Sequence, residues 1–255
     1  TPTTEQGEID LSYFHGAYEL IAANLQHDNV VIVNKSTVPP GTTDMMASLF
    51  ARLWRGQRPV PIVSNPEFLR ESHAVSDFMH PTRVVIGARD PAAAEAVAEL
   101  HRPLNCPIWF TEPSCAEMIK YASNAFLAMK VSFINEIASI CDKIGVDVME
   151  VAQGVGLDPR IGKDFLRAGI GYGGSCLPKD IGVLCQFARA YGLEPRLLNA
   201  VIQVNQQQPR RLVQRLKQAL GRLEGTRVGV LGLAFKAGTD DVRCSPALEL
   251  IRQLQ

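Results

Sequence analysis

The 255-residue chain has no excess of either charge: 26 Lys and Arg balance 26 Asp and Glu, and no block of like charges occurs. It therefore lacks the electrostatic footprint of a nucleic-acid or anionic-membrane binder, and the expected partner is a small molecule. No apolar run approaches the ~20 residues that span a bilayer. The opening TPTTEQGEID has neither the basic nor the apolar region of a secretory leader, so the expected location is the cytoplasm. The six cysteines include no C-x-x-C pair and no zinc-type spacing, which argues against a metal site and against a disulfide framework. Five of them lie in or beside apolar segments and read as small buried hydrophobes; Cys176 is the exception.

What is present is an alternation of periods. A helix is expected over residues 10 to about 27, then the strand NVVIVN, a helix from 43 to about 54, and the strand VPIVS. TRVVIGA, the helical PAAAEAVAEL and CPIWFT continue the pattern. Nearly continuous Val and Ile runs between helices indicate an α/β fold with a parallel, Rossmann-like sheet buried on both faces. A complete doubly wound nucleotide domain carries its phosphate loop after its first strand, and this sequence opens on a polar tail, so the first half of the sheet is expected to be absent. From residue 113 the pattern is helical. Ile119, Ala122, Phe126, Met129, Phe133, Ile137, Ile140 and Ile144 recur at three- and four-residue steps, one apolar stripe on a helix of about 30 residues closed by Gly145. Helices are expected over 178–191 and 196–220, the second kinked at Pro209. TRVGVLGLAF and SPALELIRQL then restart a strand and helix. The expected division is 1–112, a partial Rossmann-like domain; 113–222, an all-helical central domain built on the long helix; and 223–255, the start of a second Rossmann-like domain.

Several segments bear residues suited to chemistry. Seven of the 20 glycines fall between Gly154 and Gly174, a backbone suited to close approach, and Gly169, Gly171 and Gly174 match G-x-G-x-x-G. The polar, helix-like DPRIGKDFLRA before them does not supply the buried strand a dinucleotide turn requires, so the loop reads as a ligand loop of another kind or as a flexible linker. Cys176, just before Leu177-Pro178, stands at a helix N-terminus, where the dipole and nearby Lys179 favour thiolate. Asp180, four residues on, would share its face as base or orienter. The alternative is a buried structural cysteine beside a solvated Lys-Asp pair. In SNPEFLRES, Asn65 and Pro66 read as cap and first position of a helix, with Glu67 and Glu71 one turn apart; such carboxylates serve acid-base work or simply complement the helix dipole. Lys120 and Asn124 form an i, i+4 pair that could stabilise an oxyanion or lie on a solvated face. Ser36 and Thr37 end a strand where ligands of open α/β sheets gather, although turn duty explains them as well.

Taken in order, KSTVPPGT, NPEFLRES, DFMHPTRVVIG, AEMIKYASNAFLAMKVSFINEIA, GLDPRIG, GIGYGGSCLPKD and VGVLGLAFKAGTDDVRCSP resemble the UDP-glucose and GDP-mannose dehydrogenase family over nearly the whole chain. GYGGSCLPKD and FKAGTDD look most like its UDP-glucose branch. The resemblance implies four-electron oxidation of a sugar C6 alcohol to a carboxylate, UDP-glucose to UDP-glucuronate, with NAD as cofactor and a cysteine thioester as intermediate. It implies Cys176 as nucleophile, Lys120 and Asn124 as oxyanion donors, Asp180 working with Thr37 through a water, and Glu67 assisting hydrolysis. Ser36, Thr37, Glu71 and Arg243 would contact the cofactor. The UDP-sugar would be held by Glu67, Phe68, Leu69, Lys120, Asn124, the loop residues Phe165, Leu166, Arg167, Gly171, Tyr172 and Gly173, by Phe235 and Lys236, and by Arg160 from a second subunit of a homodimer or larger homo-oligomer built on the long helix.

The family's N-terminal glycine fingerprint and ribose acid have no counterpart here in a strand-to-helix setting, and GVLGLAF lacks the full fingerprint. The expectation is a chain short of the family pattern at both ends. The competing readings are a dehydrogenase for another nucleotide sugar, of GDP-mannose or UDP-N-acetylmannosamine type, a non-catalytic sugar-nucleotide-binding or dimerisation module, and a redox-sensing cysteine protein.

Overall fold

The computed structural model describes residues 9–27 and 29–255. The chain divides into two compact units, one running to Ala122 and the other from Ser123. In the first, strands β1 (Ile32–Asn34), β2 (Ile62–Ser64), β3 (Val84–Gly87) and β4 (Ile108–Thr111) form one sheet in that order. Helices α1 (Ser12–Asn24), α2 (Thr42–Leu53), α3 (Ala74–Met79) and α4 (Pro91–His101) complete it. Strands β2 and β3 are buried along their whole length, which is why they read as unbroken Val and Ile runs rather than as alternating ones. Val63, Val84 and Ile86 pack on Ala93, Ala94, Val97 and Ala98 of α4. A second cluster joins Tyr18 of α1 and Met46 and Phe50 of α2 to Val60 and Ile62. Helix α4 starts where Asp90 accepts the N–H groups of Ala92 and Ala93, with Pro91 at its first position.

The sheet departs from the expected parallel order at one join. β1–β2 and β3–β4 are parallel, but β2 meets β3 antiparallel, at Ser64 and Gly87. Two parallel halves thus touch at the end of a strand, and the connection between them holds only the six-residue α3, less than the helical crossover that returns a chain parallel to itself.

The second unit is helical. Helix α5 (Pro113–Ile144) begins in the first unit and runs through the second, followed by α6 (Val148–Gly156), α7 (Leu177–Ala190), α8 (Arg196–Leu220) and α9 (Pro246–Leu254). After α5, Val146 N–H bonds back to the Cys141 carbonyl at 3.1 Å, a six-to-one closure around Gly145. Its core joins Ala125, Ala128, Tyr172, Ile181 and Val201, with a smaller cluster of Ile134, Ala152 and Leu166. Helix α8 continues through Pro209, which has no N–H to offer the Asn205 carbonyl one turn back.

Three expectations are corrected. The predicted apolar stripe of α5 is not its buried face: Phe126, Phe133, Ile140 and Ile144 are exposed, while Ala116, Glu117, Lys120, Tyr121, Asn124, Ala125, Ala128 and Asn135 are buried. Small and hydrogen-bonded side chains, with Tyr121 and Ile134, make the close contacts, and these four members of the stripe face out. The strand expected in TRVGVLGLAF has no ladder partner among the described residues and forms no strand, although α9 follows as expected. Of the five cysteines read as buried, Cys115 and Cys244 are exposed.

The sheet core carries the first unit. Replacing Ile86, fully buried between the strands and α4, by alanine is expected to cost about 2–5 kcal/mol in urea unfolding.

Candidate active site

In the first unit, candidate residues gather around Glu67, just past the end of β2. The helix expected at 66–71 is absent, and α3 begins only at Ala74. The cause is local competition for backbone donors. Glu67 Oε2 accepts the Leu69 N–H at 2.5 Å, Asp77 accepts the Arg70 N–H at 2.8 Å, and Ser72 turns to φ 69°. Glu67 and Glu71 therefore do not share a helix face. Asn65 is not a cap either: its Nδ2 donates to the Val85 carbonyl at 2.8 Å and its Oδ1 accepts Lys35 Nζ at 2.6 Å. Buried at the carboxyl end of β2, it joins neighbouring strands to the loop that carries Ser36 and Thr37.

Lys120 is buried, 4% exposed, and its Nζ lies 3.2 Å from Glu67 Oε1 and over the Phe68 ring. The solvated-face reading is thereby excluded for it. Burial without a partner would be costly for an ammonium, and Glu67 supplies the partner. Arg83 also stands over the Phe68 ring, 4.0 Å from its centroid. Burial lowers the Arg83 pKa from its ordinary value. Lys35, which sequence reasoning passed over, is pulled down by desolvation and back up by the charge of Glu67.

The Ser36-Thr37 loop is anchored by Glu117, another residue not foreseen. This carboxylate, 2% exposed on α5, accepts the Gly41 N–H at 2.6 Å, the Thr43 N–H at 2.8 Å and the Thr43 hydroxyl at 2.6 Å, capping the start of α2. Asn34, 3.5 Å from that hydroxyl, holds the Ser36 N–H at 3.1 Å. An acid three residues before Lys120, on the same helix face, was the signal available in AEMIKYASN.

In the second unit, Asn124 is 8% exposed and Asp180 1%, so neither lies on a solvated face. Asn124 Nδ2 donates to Asp180 Oδ2 at 2.5 Å, and Asp180 Oδ1 pairs with Lys179. The Lys179 ammonium is thus the ion-pair partner of Asp180. Cys176 is the N-cap of α7, exposed, with Pro178 at the second helical position and its thiol 3.6 Å from Ser175 Oγ. The Asp180 N–H bonds to the Cys176 carbonyl at 2.8 Å, placing the carboxylate one turn from the thiol.

The glycine loop runs from α6 to α7 with no strand before it, so its glycine pattern is not a dinucleotide turn. Leu166 is buried against Ile134 and Ala152, and Phe165 turns to φ 65° beside it. Tyr172 and Gly173 are buried, and Gly174 N–H bonds to the Arg243 carbonyl at 2.9 Å. The Phe235 ring lies against Gly174, and Lys236 Nζ stands 5.5 Å from that ring. Arg243 is paired with Asp241, while Arg160 and Arg167 are exposed, Arg160 paired with Asp158. Asn205 and Asn135, neither foreseen, bond the loop backbone at Tyr172 and Gly169.

Three domains of the UDP-glucose/GDP-mannose dehydrogenase family match in order: the NAD binding domain over residues 1–105, the central domain over 114–207 and the UDP binding domain over 229–255. The chain belongs to this family. A Bacillus subtilis relative, UDP-glucose 6-dehydrogenase TuaD, is 49% identical over all of this chain and 55% of its own length. A Haloferax volcanii relative, UDP-glucose 6-dehydrogenase AglM, is 47% identical over all of this chain and 61% of its own. Among solved structures, a UDP-glucose dehydrogenase from Pyrobaculum islandicum superposes with a TM-score of 0.93 at 44% identity, covering all of this chain and 59% of that one. The chain thus spans somewhat more than half the length of these dehydrogenases.

Burial raises the Glu117 carboxyl above its usual 4.5. The folded state then keeps a proton that the unfolded chain releases, so this group's contribution is full below about pH 4.5 and declines as pH rises towards the folded value. Glu117→Gln is expected to destabilise the first unit, because its amide N–H would face a backbone N–H, and to lose this share of the pH slope. Urea midpoints between pH 4 and 7 check both.

Proposed function

We propose that the chain carries the catalytic segment of an NAD-dependent oxidation of UDP-glucose to UDP-glucuronate through a thioester on Cys176. The observation that carries this reading is an exposed thiol at the N-cap of α7, one turn from an Asp180 bonded to buried Asn124. The 49% identity to a UDP-glucose 6-dehydrogenase supports the sugar.

The residues present fit one end of the dinucleotide. Ser36 and Thr37 follow β1 where the parallel β1–β2 pair ends, the place at which open α/β sheets receive ligands. Their hydroxyls and backbone groups suit an amide-bearing ring, with Glu71 and Arg243 as further contacts. NAD, when bound, accepts a hydride from C6 in each of two oxidations.

The chain's own residues account for the rest. The C6 alcohol loses a proton and a hydride to become an aldehyde, the proton passing to a water that Asp180 would hold. Cys176 Sγ, as thiolate, adds to the aldehyde carbon, and the carbonyl electron pair moves onto oxygen. Lys120 Nζ and Asn124 Nδ2, each fixed by an acid, are pre-oriented donors for that oxyanion. After the second hydride leaves C6, a thioester remains. Water, deprotonated with help from Glu67, adds to it and expels the thiolate, consuming one water and restoring Cys176. Phe68, Leu69, the 165–173 loop, Phe235 and Lys236 hold the nucleotide sugar, with Arg160 contributed by a second copy.

Cys176→Ser is expected to lower acid formation from UDP-glucose by at least a factor of about 1000. NADH release should be followed for this chain and for one extended to its relatives' length, with GDP-mannose and UDP-N-acetylmannosamine alongside. Undiminished turnover removes the nucleophile assignment.

The same proposal includes a homo-oligomer. Phe126, Phe133 and Ile140 repeat every seven residues on the exposed side of α5, a seam suited to a second helix. A Phe126→Asp, Phe133→Asp chain is expected to sediment as a smaller species than wild type while keeping its helical circular dichroism.

A further inference from the structure

We infer that Asn205 is a positioning residue that sets the backbone of the glycine loop, an assignment that rests on reading that loop as the nucleotide-sugar cradle. Asn205 lies on α8. Its Oδ1 accepts the Tyr172 N–H at 2.8 Å, and its Nδ2 donates to the Tyr172 carbonyl at 3.0 Å. A carboxamide that takes both polar groups of one residue does what a neighbouring strand would do, in a segment with no sheet beside it. Tyr172 is only 8% exposed, so water is a poor substitute for these bonds.

The position before it is matched to the clamp. Gly171 has φ +104°, and a Cβ built there would stand 2.6 Å from Asn205 Oδ1. Glycine thus suits the dihedral, and a Cβ here would push the amide off its bonds to Tyr172. A second amide fixes the other end of the segment: Asn135 of α5, 1% exposed, accepts the Gly169 N–H at 2.8 Å. The bond from Gly174 N–H to the Arg243 carbonyl closes the path two residues before Cys176.

A glycine-rich loop is costly to order on binding. Holding it from helices beforehand moves that cost into folding and leaves more of the contact energy for the ligand. The clamp therefore acts on affinity and on presentation of C6 to the thiol, without touching either.

Amide hydrogen exchange reads the clamp directly. Asn205→Ala is expected to speed exchange across residues 169–174 about tenfold or more, with α5 and α7 keeping wild-type rates. Asn205→Asp keeps size and acceptor but loses the donor, and should fall between the two. Gly171→Ala should reproduce the acceleration. Combined with Asn205→Ala it should cost less than the sum of the two in urea midpoint, because the clash disappears with Oδ1. In calorimetric titration with UDP-glucose, Asn205→Ala is expected to weaken binding about tenfold. Unchanged exchange at 169–174 in both Asn205 variants, or equal acceleration along the whole chain, overturns the inference. Accelerated exchange with unchanged affinity overturns the positioning role. A wild-type chain that binds no UDP-glucose overturns the reading of the loop as a sugar-nucleotide cradle, while the exchange rates still uphold or overturn the clamp.

Discussion

Buried polar side chains on α5 are the constraint on which the candidate residues of each unit depend. Glu117, Lys120, Asn124 and Asn135 are all less than a tenth exposed, and at 3.6 residues per turn they fall within about 60° of one another around the helix. A buried polar group without a partner costs more than a hydrogen bond returns, so each of them dictates where some other part of the chain must be. Glu117 fixes the start of α2 and Lys120 fixes Glu67 in the first unit; Asn124 fixes Asp180 and Asn135 fixes Gly169 in the second. Lys130, also buried, holds the carbonyls of Ile161 and Gly162 at 3.0 and 3.1 Å. Within each unit these side chains place their partners through hydrogen-bond demands, alongside apolar contacts such as those of Ala128 and Ile134.

This arrangement suits the proposed chemistry. An oxyanion donor is effective when it is oriented before charge develops and need not reorganise. Under that proposal Glu67 would hold Lys120 in the first unit, and Asp180 would hold Asn124 in the second, where the Cys176 thiol at the start of α7 is exposed. The loop leading to the thiol follows the same logic. Its glycines permit an unusual path, and amides from two helices select one path among those permitted.

Much of this was legible in the sequence, because periodicity reports backbone state well. The long helix, its end at Gly145 and the helices over 177–190 and 196–220 follow from three- and four-residue spacing and from Pro and Gly as punctuation. The pairing of Lys120 with Asn124 was visible as spacing, but burial, which decides between an oxyanion donor and a solvated face, was not. Burial depends on which face of α5 packs, and there hydrophobic periodicity misled: Phe126, Phe133 and Ile140 face outward, and alanines, amides, Glu117 and Lys120 face in beside Tyr121 and Ile134. The helix expected around Glu67 failed for a related reason. Acids at 67 and 77 take the N–H groups that helical carbonyls would have used, a competition that residue identity does not rank.

The side chains that sequence reasoning passed over are those whose task is to hold backbone. Asn205 sits in the glutamine-rich run VNQQQ, and nothing in its neighbours marks it out. What marks it is the pair of bonds to Tyr172, a residue 33 positions earlier. Such contacts are set by tertiary placement and leave a trace in the sequence only through the glycine they demand opposite. Gly171 is that trace. Read alone, it belongs to a pattern that mimics a dinucleotide turn; beside Asn205, the same glycine is explained by the space an amide needs to reach the chain, with no phosphate required.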